Sequence, residues 1–424
     1  MFHEILTRLN FEIKHRIFRY SRVSMPSLWK YIYLWEFKKL LSHAAQNTEY
    51  WQTTLSSSNI KPDDLTDLNI LGTLPPLTRA TIKKGGLSMF LANNIQENRR
   101  LPAHTSGSTG EPLVFYQDTK ELLKRRLNIL YGLSLHNIQL TRPALISGLD
   151  THVYLDPLGV KFSNLGEKKS RTSILYPMLE QLQPEVLFCT PSYLQMFNAF
   201  LQQDGKKTSF KMIYCAGESM SQKNRRIFSS TFNSFISTWY GTRETGPIAV
   251  ECTAGEYHIL PWSSYIEIVN SDNTALSTGK EGDIIVTSFS NYVMPFIRYK
   301  TGDRGIILPH PCKCGNVIPV LKLSGRAPTI VNTPNGKSFA ISELGTAVAS
   351  QFAAAILQFQ ILEKKSGEYT FRFIPNGQYT QNLNTPLLKL LHEIIGEKPG
   401  IILERAQEIL PDTSGKTHIF LKLH

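Results

Sequence analysis

The chain has 424 residues, 42% of them hydrophobic and 10% aromatic, enough to build two or three packed domains, which excludes a disordered or fibrous protein. Its 46 Lys and Arg against 34 Asp and Glu leave a formal net charge of +12, which favours anionic company: nucleotides, phosphorylated cofactors, acidic carriers, nucleic acid or a membrane surface. No compact block of five or more Lys/Arg occurs, and no helix-turn-helix, zinc-finger or aromatic ribonucleoprotein pattern, so nucleic acid is not an expected partner.

The first segment, "MFHEILTRLNFEIKHRIFRYSRVSMPSLW", is interrupted by Glu4, Arg8, Glu12, Lys14 and Arg16 too often for a signal-peptide core. No later run approaches the roughly 20 apolar residues needed to span a bilayer. A cytoplasmic protein without a transmembrane segment is expected. The stripe Phe2, Leu6, Leu9, Ile13 and Ile17 is expected to pack on the body of the protein, with a peripheral membrane contact as the alternative.

From Leu34 to Leu87 the pattern is helical and then looped, with "LGTLPPLTRATIKK" as a proline-marked connection. Next comes "HTSGSTGEPLVF", in which Thr105, Ser106, Gly107, Ser108, Thr109 and Gly110 crowd hydroxyls and glycines into six positions. Such a loop is either a solvated turn or a cradle for phosphate oxygens, and it lacks the Gly-Lys-Ser/Thr ending of the usual mononucleotide loop. "VLFCTPSYLQMFNAFLQ" predicts a buried strand that breaks at Pro191 into a helix. "KMIYCAGESM" predicts another strand, followed by the helix "SQKNRRIFSSTF" and the strand "FISTWYG". Strand, loop, helix and strand in series is the grammar of a mixed α/β sheet.

Past the carboxyl ends of such strands lie "CAGESM", with Gly217 and Glu218, and "WYGTRETG", with Tyr240, Gly241, Thr242, Arg243 and Glu244. An aromatic there can stack on a base and a carboxylate can hold Mg²⁺, although each is also ordinary packing and surface charge. From Tyr265 short alternating strands predict a β subdomain over about 259–326. Within it "IRYKTGDRG" sets Asp303 in a tight turn, either as a turn former or as an acceptor for vicinal hydroxyls. A boundary is expected near Arg326, followed by a hairpin around Ser366-Gly367, the amphipathic helix "TPLLKLLHEIIG" and the C-terminal "SGKTHIF" with Lys416.

The order of these pieces, Ser/Gly/Thr loop, "AGES", "YGTRE", "RYKTGD", "SGR" and C-terminal "SGK", resembles the motif series of the AMP-forming adenylating enzymes, and within them the phenylacetate-CoA ligase family and its capsule-biosynthesis-associated relatives. The resemblance extends from "LLSHAAQNTEYW" to Lys416. It implies a large ATP- and acid-binding domain over 1–326 and a small mobile α+β domain over 327–424. In that family the loop matching Thr105 to Pro112 embraces the triphosphate. Gly217 and Glu218 match the adenine lining, Tyr240 the stacking aromatic, Glu244 the Mg²⁺ carboxylate, Asp303 the ribose ligand and Arg326 the Arg that follows it. Lys416 matches the lysine brought over the site for adenylate formation. The implied chemistry is ATP-dependent activation of a small carboxylic acid, followed by transfer to a thiol, above all that of coenzyme A. The alternatives are transfer to a carrier protein or to an amine or hydroxyl of a polysaccharide precursor, and a non-catalytic nucleotide binder. A homodimer is compatible with the chain.

Two departures stand out. Arg243 replaces the family's Ser or Thr before the Glu, and Ala327, Pro328 and Thr329 replace acidic residues at the hinge, where proline restricts rotation. An apolar acid pocket is expected from Phe188, Tyr193 and Trp239, with Arg243 able to meet a phosphate or the acid's carboxylate by charge.

Five cysteines are too few and odd in number for a disulfide framework. Cys252 and His258, then Cys312 and Cys314, form C-x5-H and C-x-C halves: either a closed structural Zn²⁺ set or reduced buried thiols. His310 is the reserve ligand, and Cys189 and Cys215 are expected in the core.

Overall fold

The structure is a computed structural model, and it describes residues 26–105, 113–138, 144–147, 152–156, 159–163, 179–180, 183–203, 205–326, 330–333, 336–352, 355–364, 368–397, 400–409 and 419–423. The N-terminal stripe, the loop from Ser106 to Pro112, the triplet 327–329 expected at a hinge and Lys416 lie outside the described residues. Among those described, no helix is long and apolar enough to cross a membrane. The chain forms two compact units that divide after Gly325.

In the first unit, α1 (Pro26–Asn47) and α2 (Glu49–Ser57) bury Phe37, Leu40, Leu41 and Ala44 at helical spacing, together with Trp51 and Leu55. The Trp51 indole donates to the Pro295 carbonyl at 3.0 Å, which seats this pair on the connection after residue 288. The short α3 (Arg79–Gly85) is capped by Thr78, whose hydroxyl accepts from the Thr81 amide at 3.0 Å. β1 (Leu101–His104) and β2 (Val114–Gln117) form an antiparallel hairpin that flanks the Ser/Gly loop. α4 (Thr119–Leu135) follows.

Among the described residues, twelve strands make one sheet. They are β3 (Ala144–Ser147), β4 (His152–Asp156), β5 (Gly159–Ser163), β6 (Val186–Cys189), β7 (Met212–Ala216), β8 (Phe235–Thr242), β9 (Gly246–Glu251), β10 (Tyr257–Ile259), β11 (Ser264–Val269), β12 (Gly282–Ser288), β13 (Tyr299–Ile307) and β14 (Val320–Arg326). Their spatial order is β11-β12-β13-β14-β10-β9-β8-β7-β6-β3-β4-β5. β3, β6, β7 and β8 are parallel, and the crossovers carry α5 (Pro191–Gln203) and α6 (Gln222–Phe232).

Successive side chains of these strands enter different cores, as a two-residue period requires. Leu187, Cys189, Ile213 and Cys215 join Leu194, Phe197, Phe228 and Phe232 of α5 and α6. Val186, Phe188, Met212 and Tyr214 join Leu133 of α4 on the opposite face. Cys189 and Cys215 are both buried, with sulfurs 3.8 Å apart. β10 pairs with β9 on one side and β14 on the other, so the strands after residue 259 belong to the same sheet as β7 and β8.

The second unit begins with a two-stranded ribbon, β15 (Ile330–Asn332) and β16 (Ser338–Ala340), and α7 (Ile341–Phe352). β17 (Ile356–Glu363) and β18 (Tyr369–Pro375) form the hairpin expected there, α8 (Asn384–Ile395) is amphipathic, and β19 (Ile401–Arg405) and β20 (Phe420–Lys422) complete the order β19-β18-β17-β20. Leu344, Val348, Leu387, Leu391 and Ile395 of the two helices bury Ile361, Phe371 and Phe373.

Candidate active site

β7 and β8 are parallel and in register, with Ala216 opposite Trp239, so the loops after them leave the same edge of the sheet. Gly217, at φ 85°, and Glu218 start the first loop. Tyr240, Gly241 and Thr242 end β8, and Glu244 sits in the turn to β9. Gly241 is required by close approach, since a Cβ there would lie 2.3 Å from the Gly246 carbonyl oxygen. The turn is closed by the Thr245 amide, which donates to the Thr242 hydroxyl at 3.1 Å.

β13 supplies the opposite wall. Four steps separate it from β8 in the sheet order, a span of about 19 Å in a flat sheet. The Tyr240 hydroxyl nevertheless donates to Asp303 Oδ2 at 2.9 Å, so the sheet curls until these strands face each other. Thr301 steadies Asp303 by accepting from its backbone amide at 3.1 Å.

Glu244 is 1% exposed, and its Oε1 accepts from the Tyr299 hydroxyl at 2.5 Å and from Arg79 Nε and Nη2 at 3.3 and 3.1 Å. Among the described residues, every side-chain bond to this carboxylate falls on Oε1. Leu77 positions Arg79 by pairing with the start of β13, its amide donating to the Arg298 carbonyl at 2.9 Å and its carbonyl accepting from Lys300 at 2.9 Å. Burial by itself lowers the affinity of Arg79 for its proton, but Glu244 and Tyr299 outweigh it and hold the guanidinium above its ordinary value. Burial, and then the Glu244 charge, raise the Tyr299 phenol.

Arg79 and Tyr299 were not singled out from the sequence. One signal for Arg79 is local: directly after the Thr78 cap it puts a positive charge at the positive end of a helix dipole, a placement that helix stability alone disfavours. Tyr299 carries no such signal.

The other expected site residues fall as follows. Thr105 is buried, and its hydroxyl accepts from the Leu113 amide at 2.9 Å, so it ties the two ends of the Ser/Gly loop together. Ser106, Gly107, Ser108, Thr109 and Gly110 lie outside the described residues, as does the side chain of Arg326, which ends β14. Phe188 and Trp239 share the α4-side cluster, whereas Tyr193 packs into the α5/α6-side core. The three residues of the expected pocket wall thus fall in two core clusters, Phe188 and Trp239 in one and Tyr193 in the other. Arg243 is exposed.

Cys252, His258, Cys312 and Cys314 converge, with all potential ligand atoms within 4.8 Å of one another. The Cys252 and Cys312 sulfurs are 3.7 Å apart, against about 3.8 Å for the edge of a tetrahedron with ordinary Zn–S bonds. His258 Nδ1 lies 2.8 Å from the Ile318 carbonyl, which assigns it the proton and leaves Nε2, 3.2 Å from the Cys314 sulfur, with its lone pair inward. His310 is exposed and outside this group.

Comparison with known proteins gives a consistent picture. Residues 158–295 match the AMP-binding enzyme family model. Phenylacetate-coenzyme A ligase of Escherichia coli (strain K12) is 24% identical over 298 residues, which are 64% of this chain and 65% of that ligase. Protein CapK of Staphylococcus aureus is 21% identical over 281 residues, covering 63% of this chain and 60% of that protein. The chain thus spans just under two thirds of the length of these two relatives. Among solved structures, 2-hydroxyisobutyryl-CoA ligase in the postadenylation state in complex with 2-HIB-AMP has a TM-score of 0.70 at 14% identity, covering 95% of this chain and 91% of that one. The fold is shared.

Proposed function

We propose, for a chain that is a relative of the AMP-binding enzymes of phenylacetate-coenzyme A ligase kind, that it is an AMP-forming acid–thiol ligase. A carboxylate oxygen of the acid attacks the α-phosphorus of ATP, the bond to the bridging β-phosphate oxygen breaks, and pyrophosphate leaves. A thiol then attacks the acyl carbon and expels AMP. The observation that carries this reading is the meeting of Tyr240 with Asp303, and of Glu244 with Arg79 and Tyr299, past the carboxyl ends of parallel strands.

In this reading Tyr240 stacks on adenine beside Gly217 and Glu218, Asp303 accepts from the ribose hydroxyls, and Gly241 and Thr242 line the phosphates with Thr105, Ser106, Gly107, Ser108, Thr109 and Gly110. Arg326 follows Asp303 toward the ribose, and Lys416 neutralises charge on the reacting phosphate. Glu244 fits a hard cation, since three donor atoms of Arg79 and Tyr299 hold Oε1 and, among the described residues, none bonds its second oxygen. Bound there, Mg²⁺ supplies charge neutralisation for the departing pyrophosphate. Phe188 and Trp239 favour an apolar or aromatic acid. Coenzyme A and ATP are cytoplasmic metabolites, which matches the expected location.

A second reading is favoured by the similarity to CapK and by Ala327-Pro328 at the hinge: adenylation followed by transfer to a carrier thiol, or to an amine or hydroxyl of a glycan precursor. Hydroxylamine-trapped, ATP-dependent pyrophosphate release over a panel of acids, with Lys416→Ala as control, tests both. Replacement of the trap by coenzyme A identifies the first. An acid-dependent signal that coenzyme A cannot sustain identifies the second, and no signal with any acid despite ATP binding defeats both.

The Cys252, His258, Cys312 and Cys314 cluster is read as a structural Zn²⁺ site joining β9, β10 and the connection before β14. The purified protein is expected to carry stoichiometric zinc by elemental analysis. Cys312→Ser should lose the metal together with several kcal/mol of stability, roughly 10 °C in unfolding midpoint. A wild type that purifies without metal, and whose midpoint neither added zinc nor Cys312→Ser moves, would refute the site.

A further inference from the structure

Helix α4 holds a pair of charges that the reading above does not use. Glu121 is 0% exposed, and its Oε1 accepts from Arg125 one turn later, through Nε at 2.9 Å and through Nη2. Arg125 also donates through Nη1 to the Arg243 carbonyl at 2.7 Å and through Nη2 to the Glu244 carbonyl at 3.0 Å. Its stem fills the space beside Gly246, at φ 75°, where a Cβ would lie 2.9 Å from Arg125 Cγ. One planar cation therefore binds a buried carboxylate and two successive main-chain carbonyls of the turn that carries Glu244.

Fold stability is a poor account of this arrangement. α4 already packs on the sheet through Leu133 and Tyr131, and a buried ion pair is in general no more stable than apolar residues of the same volume. Glu121 Oε2 is buried without a hydrogen-bond partner among the described residues, so the carboxylate is committed to Arg125 at a cost. Desolvation pushes its carboxyl up to about 7 even against the Arg125 charge. What the pair does achieve is geometric: two fixed carbonyls set the peptide planes on either side of the Glu244 Cα, and with them the direction in which its side chain leaves the turn.

We propose that Arg125, locked by Glu121, is a positioning residue that aims the Glu244 carboxylate at its cation. The inference rests on the reading of Glu244 as a metal ligand. Lysine cannot replace Arg125, because a single ammonium does not hold both carbonyls and the carboxylate in one plane.

The test is Mn²⁺ binding, followed by water-proton relaxation with the full chain and a non-hydrolysable ATP analogue. Arg125→Lys is expected to raise the Mn²⁺ dissociation constant by about tenfold, the usual effect of removing a group that orients a ligand. Its metal-free affinity for the ATP analogue should stay that of wild type. Glu121→Gln is expected to shift Mn²⁺ affinity in the same direction in a protein that still folds, with a lowered unfolding midpoint because Arg125 loses its buried counter-charge, and it decides the matter should Arg125→Lys fail to fold. Glu244→Gln separates the two claims. Mn²⁺ affinity lowered by Glu244→Gln but wild-type in folded Arg125→Lys and Glu121→Gln overturns the positioning role alone. Wild-type affinity in Glu244→Gln overturns the metal reading and the inference together.

Discussion

Replacing Glu244 by Gln is expected to lower the acid-dependent release of pyrophosphate by roughly 10²–10³-fold, the usual loss when one preorganised charge-stabilising group is removed. The substitution preserves volume, so the Tyr299 hydroxyl and Arg79 can still donate to the amide oxygen that replaces Oε1. What disappears is the negative charge, and with it the attraction for a divalent cation among side chains that exclude water. The loss should appear in kcat and in Mn²⁺ affinity, with little change in unfolding midpoint. A variant that keeps wild-type turnover and cation affinity would remove Glu244 from the reaction.

The second large effect concerns stability. Arg298 is fully buried at φ 49°, and it makes a two-point ion pair with Glu267, Nε to Oε2 and Nη2 to Oε1 at 3.1 Å each. It also donates to the carbonyls of Gly72 at 3.2 Å, Asn273 at 3.1 Å and Leu74. The proline-marked connection that delivers Arg79 is therefore tied to the β11–β13 end of the sheet by a single side chain. Arg298→Met should cost about 3–5 kcal/mol, because it leaves a buried carboxylate without its counter-charge. The backbone strain at positive φ cancels in this comparison, since arginine and methionine are both L side chains.

The cost should depend on pH with a definite sign. Burial already raises the Glu267 carboxyl, with Arg298 opposing, and removing Arg298 raises it further. A carboxyl whose folded pKa lies above its unfolded one contributes most below the unfolded pKa and loses that contribution as pH rises through the folded one. Arg298→Met is thus expected to unfold more easily at pH 8 than at pH 5, relative to wild type, by urea titration at both. A penalty that is equal at the two pH values would mean that Glu267 is not left charged and buried.

The sequence by itself determined the elements and the order of the loops, because those signals are local. Pro191 breaks β6 from α5, Ser221 caps α6, alternation marks β11 and β12, and the helical spacing of Leu387, Leu391 and Ile395 marks α8. The placement of Gly217 just past β7 and of Tyr240 near the carboxyl end of β8 followed from the same grammar, and the Cys/His spacing was enough to nominate a four-ligand set. Only the tertiary structure decided which side chains face one another. Arg79 and Glu244 are 165 positions apart, and Arg125 reaches across 119 positions to the Glu244 carbonyl. Tyr193 and Phe188 fall in different core clusters. Periodicity records which face of an element is apolar, while the partner of a buried charge depends on how the whole sheet curls, as the 2.9 Å contact between Tyr240 and Asp303 requires.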